Sequence, residues 1–387
     1  MTVKKFIGKA HLWLGLSSGL LVCFLGITGC LLVFEKEIRP LFDSLDVAPQ
    51  AGAYKLPSEL KAAAEKHLDG RKVVGLEYPG RNKSALAYYY NADEYFIVAL
   101  NPYTGAVLQV KNMNHDFFRV VTMGHYYLWL PPAIGQPIVA SATLVFLLML
   151  ITGLVLWWPK NNAARKQRFS VKWNARWRRV NYDLHSVLGF YMTWVVIFIA
   201  LTGLVMGFQW FSKSVYWITS GGEVAVIEEH PLSDTTKQQA TTLNPADQIW
   251  LKYKNTIPKE GSASIYFANN KTDLVEWIVN YRPGTYYKQD VYHFDQHTLQ
   301  EVPVASPYHG RYADVSTADK IARMNYDIHV GAIGGLPTKI LAFFGSLIAA
   351  SLPVTGFYIW WGRRKKARLQ KPAAPKTATL VAVANSL

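Results

Sequence analysis

Four histidines carry the chemistry this chain can do, and each stands upstream of a Thr-Gly dipeptide. His11 precedes Thr28-Gly29 by 17 residues, and His185 precedes Thr202-Gly203 by the same 17. His125 precedes Thr152-Gly153 by 27, and His329 precedes Thr355-Gly356 by 26. Gly15 and Gly189 follow the first pair by four residues. The later two Thr-Gly pairs both lead to Trp-Trp (Trp157-Trp158, Trp360-Trp361) and a basic stretch. The chain therefore reads as one unit used twice, with two histidines in each half at corresponding places. Imidazole is a titratable, metal-competent group, and at membrane depth such groups are functional by default.

The elements that must position them are apolar runs at about Leu12–Phe34, Pro137–Trp158, Val187–Phe211 and Leu336–Trp361. Each is long enough to span a bilayer. A mean hydropathy of only +0.06 hides this segregation. The Thr-Gly pairs read as helix-packing positions, because small residues allow close approach and Thr bonds back to its own helix. Cys23 and Cys30, the two cysteines, lie seven apart in the first run, which excludes a disulfide framework. Ile27-Thr28-Gly29-Cys30 has the look of a lipoprotein cleavage box. The apolar Leu31-Leu32-Val33-Phe34 that follows favours a retained helix.

The net charge of +15 is concentrated. Segments 1–10, 159–180 and 362–387 hold 18 of the 41 Lys and Arg and no Asp or Glu, which leaves 23 basic against 26 acidic residues elsewhere. This is the positive-inside pattern of a four-span protein with both termini cytoplasmic, and no basic folded domain remains to bind nucleic acid.

The expected organisation is a cytoplasmic N-terminus with span 1 (1–35), an outside domain (36–118), and an outer-face segment with span 2 (119–158). A basic loop (159–182), span 3 (183–211), a second outside domain (212–325), span 4 (326–361) and a basic tail (362–387) follow. The first outside domain reads as a helix, Pro57–His67 capped by Ser58, then strands at Val73–Tyr78, Ser84–Tyr90, Glu94–Leu100 and Ala106–Val110. The second reads as a helix at Asn244–Tyr253 and strands at Ser262–Phe267, Asp273–Tyr281 and Lys288–Phe294. Pro131-Pro132 and Pro137 are expected to interrupt any helix between His125 and the second span. The fold class is thus a mainly α membrane protein, four transmembrane helices in a pseudo-twofold repeat with two α+β outside domains.

That topology puts His11 and His185 near the cytoplasmic face and His125 and His329 near the outer face. Two imidazoles per face, on separate helices, suit bis-histidine ligation of haem iron, a low-spin centre made for electron transfer. Zinc would ask for several clustered ligands. His115, ten residues before His125, is the substitute ligand at the outer site. Tyr126, Tyr127 and Trp129 form an aromatic cluster there, either an interface belt or a substrate-side surface. His67, His230, His293, His297 and His309 read as ordinary residues of the soluble segments.

The chain resembles the PepSY-associated transmembrane family, which includes diheme ferrisiderophore reductases of the bacterial inner membrane. The resemblance is carried by Lys9-Ala10-His11 through Ile27-Thr28-Gly29, by His185 with Leu188-Gly189, and by Ile151-Thr152-Gly153-Leu154 with Trp157-Trp158-Pro159. It continues in Ile328-His329-Val330-Gly331 and Pro353-Val354-Thr355-Gly356 with Trp360-Trp361, and Asn101-Pro102-Tyr103-Thr104-Gly105-Ala106-Val107-Leu108 resembles the strand–turn–strand ending of a PepSY module. It implies two b-type haems and two periplasmic PepSY-like domains. It also implies reduction of periplasmic ferric iron, often as a ferric siderophore, with electrons from membrane quinol or a cytoplasmic reductase. Against that pattern, Met123-Gly124 precedes His125 where a Leu-His pair is expected. The second outside segment has His297 where such a turn carries Gly, and no flavin or nicotinamide domain follows the last span. The alternatives are a non-enzymatic PepSY scaffold that binds or inhibits a partner, and a haem electron carrier for a non-iron acceptor.

Overall fold

The computed structural model describes residues 2–43, 46–159, 161–162, 165, 168–226, 231–237 and 243–369. His230, part of the basic loop and residues 370–387 of the basic tail lie outside them. The first half runs through helix α1 (Val3–Val33), helix α2 (Pro57–Glu65) and strands β1 (Gly75–Tyr78), β2 (Ala85–Tyr90), β3 (Tyr95–Leu100) and β4 (Val107–Asn112). Helices α3 (Phe117–Tyr127) and α4 (Pro132–Trp157) complete it. The second half runs through α5 (Trp177–Gly207), α6 (Gln209–Ser220), α7 (Pro245–Tyr253), β5 (Ser262–Tyr266), β6 (Leu274–Asn280) and β7 (Gln289–Asp295). It ends with α8 (Thr317–His329) and α9 (Leu336–Leu369).

Helices α1, α4, α5 and α9 are long and apolar enough to cross a membrane. Only 22–33% of each apolar window is buried within the protein. Outward residues such as Leu20 and Phe198 form an apolar surface that suits lipid and not water. The chain is a multi-pass membrane protein. The spans close a ring in which α1 packs on α4 and α9, and α5 packs on the same two helices. Small residues set the approach: a Cβ on Gly26 would lie 2.8 Å from the Ala350 Cβ, and one on Gly207 2.7 Å from that of Ala140. The first helix continues unbroken past Cys30, whose thiol donates to the Phe343 carbonyl at 3.4 Å.

The two segments expected as separate outside domains share one antiparallel sheet of order β4-β3-β2-β1-β5-β6-β7. β1 and β5 pair from Gly75↔Tyr266 to Tyr78↔Ala263, so each covers the edge the other would expose. Helices α2 and α7 help bury one core, which includes Leu60, Leu76, Val98, Trp250, Ile265 and Trp277. The alternation that marked the strands is the burial pattern itself, clearest in β6, where every second residue is buried. Ser58 does not cap α2. Its hydroxyl and N–H donate to the Asp247 carboxylate of α7, at 2.5 and 2.8 Å, and so tie the halves together.

The turn after β7 corrects the expectation for His297. Asn101 Oδ1 accepts from the Tyr103 and Thr104 N–H groups, and Asp295 Oδ1 accepts in the same way from His297 and Thr298. The left-handed residue that closes each turn is Gly105 in the first half and Leu299, at φ +57°, in the second. The glycine position is therefore held by Leu299, and His297 corresponds to Tyr103.

Pro137 does not break the second span, which begins at Pro132, where a helix's first turn tolerates proline. The reversal before it is made by Leu128 and Trp129, both left-handed. A Cβ on Gly135 would sit 2.0 Å from the Tyr127 carbonyl oxygen, so only glycine lets α3 fold back onto α4. The short helix α6 has no counterpart among the expected elements.

Candidate functional site

Two cavities lie in line through the bundle. On the sheet side a cavity of about 280 Å³ is lined by His125 of α3 and His329 of α8, with Gly26, Ala140 and Gly203 on its walls. On the side of the basic segments a cavity of about 410 Å³ is lined by His11 of α1 and His185 of α5, with Gly15, Gly153 and Gly356. Along α1 the linings stop at Leu16 and resume at Val22, and along α5 they stop at Thr193 and resume at Val196. About 5–9 Å of helix rise therefore separates the two.

Each histidine is seated on the Thr-Gly pair of a neighbouring span. Nδ1 of His11 lies 2.9 Å from Thr152 Oγ1, that of His125 2.7 Å from Thr28 Oγ1, that of His185 2.9 Å from Thr355 Oγ1 and that of His329 3.1 Å from Thr202 Oγ1. All four threonine hydroxyls also have a carbonyl of their own helix to donate to, that of Leu148, Phe24, Ser351 or Phe198 at 2.7–3.1 Å. With its hydrogen on that carbonyl, each hydroxyl accepts from the ring, the arrangement that puts the proton on Nδ1 and leaves Nε2 its lone pair. The glycine makes room for the ring: a Cβ on Gly153, Gly29, Gly356 or Gly203 would lie 3.2–3.8 Å from the Cε1 of the same histidine. The Thr-Gly pairs are thus the seats of the histidines as well as packing positions.

The donor set discriminates between metals. Among the described residues no three His, Cys, Asp or Glu side chains converge as metal ligands, so neither cavity meets the needs of a structural zinc. Two imidazoles per cavity fit a group that brings its remaining donors with it, as a haem macrocycle does. The ring centroids of His125 and His329 are 6.3 Å apart. Two metal–imidazole bonds of about 2.0–2.1 Å, with roughly 1 Å more from each nitrogen to its ring centre, span about that distance. The residues present fit the group.

The second half carries a further device. Asn181-Tyr182-Asp183-Leu184-His185 recurs as Asn325-Tyr326-Asp327-Ile328-His329, although one copy lies on the basic side and the other on the sheet side. In each, the asparagine, one helical turn before the histidine, donates to the backbone oxygen of the threonine that seats that histidine: Asn181 to Thr355 at 3.0 Å and Asn325 to Thr202 at 3.2 Å. The tyrosine lines the cavity. The buried aspartate holds the segment beside the cavity: Asp183 accepts from Arg179 and from the Lys172 N–H, and Asp327 accepts from the N–H groups of Tyr286 and Tyr287. His185 itself lies in a π-helical turn, Leu184–Leu188, a distortion common at functional sites. The near-identical pentapeptide is the signal, and a comparison of one half with the other passes over it because both copies stand within the second half.

Of the other candidates, Tyr126 and Tyr127 line the sheet-side cavity with Tyr326 and Glu35. Trp129 does not. Its indole N–H donates to the Val120 carbonyl at 2.8 Å and its ring packs on Phe24, which pins the reversal after α3. His115 is exposed in a turn before α3 and is not among the cavity residues. His67 bonds the Ala63 carbonyl, His293 pairs with Glu276 and lies tilted against the His309 ring, and His297 bonds the Lys271 carbonyl; none of these lines either cavity. Helix α3 is anchored by Asp116, which caps it through the Arg119 N–H. The same carboxylate receives Arg39 at 2.6 and 2.9 Å and Lys111 at 2.9 Å.

Among families of known proteins, the model described as PepSY-associated TM region matches residues 9–363. No curated protein matches the chain.

Proposed function

We propose, for a chain that belongs to the PepSY-associated transmembrane family, that it is an inner-membrane oxidoreductase with two b-type haems. It passes electrons outward to a ferric complex, most simply a ferric siderophore, in the periplasm. His11 and His185 hold one haem on the basic, cytoplasmic side, and His125 and His329 hold the other beneath the periplasmic sheet. When bound, each haem supplies a one-electron couple between ferric and ferrous iron. The observation that carries the reading is the geometry of the four seats: every Nδ1 lies 2.7–3.1 Å from a threonine hydroxyl, which turns two Nε2 atoms per cavity to ligation, and among the described residues no group of three His, Cys, Asp or Glu converges as metal ligands.

The protein's own part is to orient and exclude. The threonines fix the tautomer and the ring plane, and such partners raise ligand basicity. The apolar walls keep water from the iron, and the in-line cavities set a short path through the bundle. Tyr126 and Tyr127 at the sheet-side cavity stand where electrons leave, and Arg168, Tyr182 and Arg363 at the other stand where a quinol or a cytoplasmic reductase would deliver them.

Purified protein should carry two haems with a reducible b-type absorbance spectrum. His11→Ala, His125→Ala, His185→Ala and His329→Ala should each disturb one haem and spare the other. The dithionite-reduced protein should be reoxidised faster by ferric siderophores than by non-iron acceptors. Protein without a b-type band would end the oxidoreductase reading in favour of a partner-binding scaffold. Indifference to the iron complexes would leave an electron carrier for another oxidant.

A further inference from the structure

The two histidines of each cavity are not held alike. His329 has two acceptors for its ring N–H, Thr202 Oγ1 at 3.1 Å and the Ile199 carbonyl at 3.0 Å, whereas at His185, which bonds Thr355 Oγ1 at 2.9 Å, the asymmetry lies in what holds that threonine. The threonine under each is clamped by Asn325 or Asn181, buried to 9% and 3% exposure, from the helix that bears the histidine. Asp327 and Asp183, at 0% and 2% exposure and two residues before each histidine, tie the same helical turn to the N–H groups of Tyr286 and Tyr287 and to Arg179 and the Lys172 N–H. Among the described residues His125 and His11 each bond their threonine alone, with no residue clamping it from the helix that bears the histidine. One turn before them stand Val121 and Ile7, which have no side-chain donor to offer.

Resting on the two-haem reading above, we infer that Asn181 and Asn325 are positioning residues. They make His185 and His329 the fixed ligand of each pair and leave His11 and His125 as the ligand that lets go. A side chain held through several hydrogen bonds, its own or its seat's, has lost its freedom on folding, so keeping it on the iron has little further ordering cost. One held by a single bond to an unclamped seat can swing off when an exogenous ligand competes. The asymmetry repeats on both sides of the membrane, so each site opens on the side of its first-half helix, α1 for the basic-side cavity and α3 for the sheet-side one.

The test uses the intact protein in detergent. In the wild type, cyanide or excess imidazole is added and the freed ring nitrogens are trapped with diethylpyrocarbonate, then read by peptide mass spectrometry. His11 and His125 should be modified at least about fivefold more than His185 and His329; equal or reversed labelling overturns the inference. Independently, His11→Gly and His125→Gly should keep their haem and recover the low-spin spectrum when imidazole is supplied. His185→Gly and His329→Gly should retain about tenfold less at the affected site; retention within twofold across the four overturns the inference. Asn325→Leu should shift the low-spin electron paramagnetic resonance signal and midpoint potential of the sheet-side site alone, and Asn181→Leu those of the other site. A fall in thermal stability with both signals unchanged would reduce the asparagines to packing and refute the positioning role. Wild-type protein that binds no haem sinks the parent reading and this one together, whereas two haems with symmetric labelling sink this one alone.

Discussion

Thr28→Val isolates the role of the histidine seat. The substitution keeps the volume and branching of the side chain and removes the oxygen that accepts from His125 Nδ1 at 2.7 Å. The Phe24 carbonyl loses a second donor but stays within its helix, so the main loss is the acceptor for a buried N–H. Leaving such a group unpaired costs about 1–3 kcal/mol. At about 1.4 kcal/mol per factor of ten, haem retention at the sheet-side site should weaken roughly 5–150-fold. Losses of about 10–100-fold are typical when a ligand's supporting partner is removed. Transfer of haem to an excess of an apo-globin, followed at the Soret band, measures this directly. Thr28→Ser, which keeps the hydroxyl, should behave as the wild type. Thr202→Val should cost less than Thr28→Val, because His329 retains the Ile199 carbonyl as an acceptor. Thr28→Val protein that holds its haem as the wild type does, or that loses both haems equally, would refute the assignment of the threonine as the seat.

Other perturbations report on the frame. Burial opposes the charge on Asp116, but its hydrogen bonds from Arg39 and Lys111 outweigh that and hold its carboxyl well below the usual carboxylate range. A depressed folded-state value contributes stability that is present above the unfolded value of about 3.9 and lost as pH falls toward the folded one. The unfolding midpoint should therefore be flat from neutral pH to about 5 and drop below about pH 4, and Asp116→Asn should remove part of that drop. Asp116→Asn should also cost about 1.5–3 kcal/mol at neutral pH in a denaturant titration, the worth of a hydrogen bond to a charged group. Gly26→Val would drive a side chain into Ala350 and the Ser346 carbonyl, so a loss of about 1–3 kcal/mol is expected in a thermal melt, with the sheet-side haem diminished. Trp277→Ala, at a fully buried position of the shared sheet, should cost about 3–5 kcal/mol and destabilise both halves together; separate melting of the two would contradict the single core.

Some of this architecture was legible because its signals are local. The apolar runs, the strand alternation around Leu76, Val98 and Trp277, and the register of the four histidines on Thr-Gly follow from periodicity and spacing. The partner of each histidine was not legible, because Thr28 and His125 meet across two helices and nothing in their spacing says which atom accepts. The single sheet was equally hidden. β1 and β5 look like edge strands of two modules, and only assembly pairs Gly75 with Tyr266. Helix α6 was hidden because the expected boundary between the third span and the second outside domain, at 211 and 212, cuts through it. Its exposed tryptophans suit the boundary between lipid and water.

The shared sheet also dictates an order of birth. β2, β3 and β4 can zip onto β1 as soon as the first outside segment has emerged, but the far edge of β1 stays bare until β5 arrives, after the chain has crossed the membrane twice more. For that interval a nascent molecule presents the ready-made template for pairing with another chain. A chain arrested before Ser262 should therefore dimerise or be taken up by a holdase, and one carried past Tyr266 should not. The strand that joins the halves in the finished protein is the hazard of its synthesis.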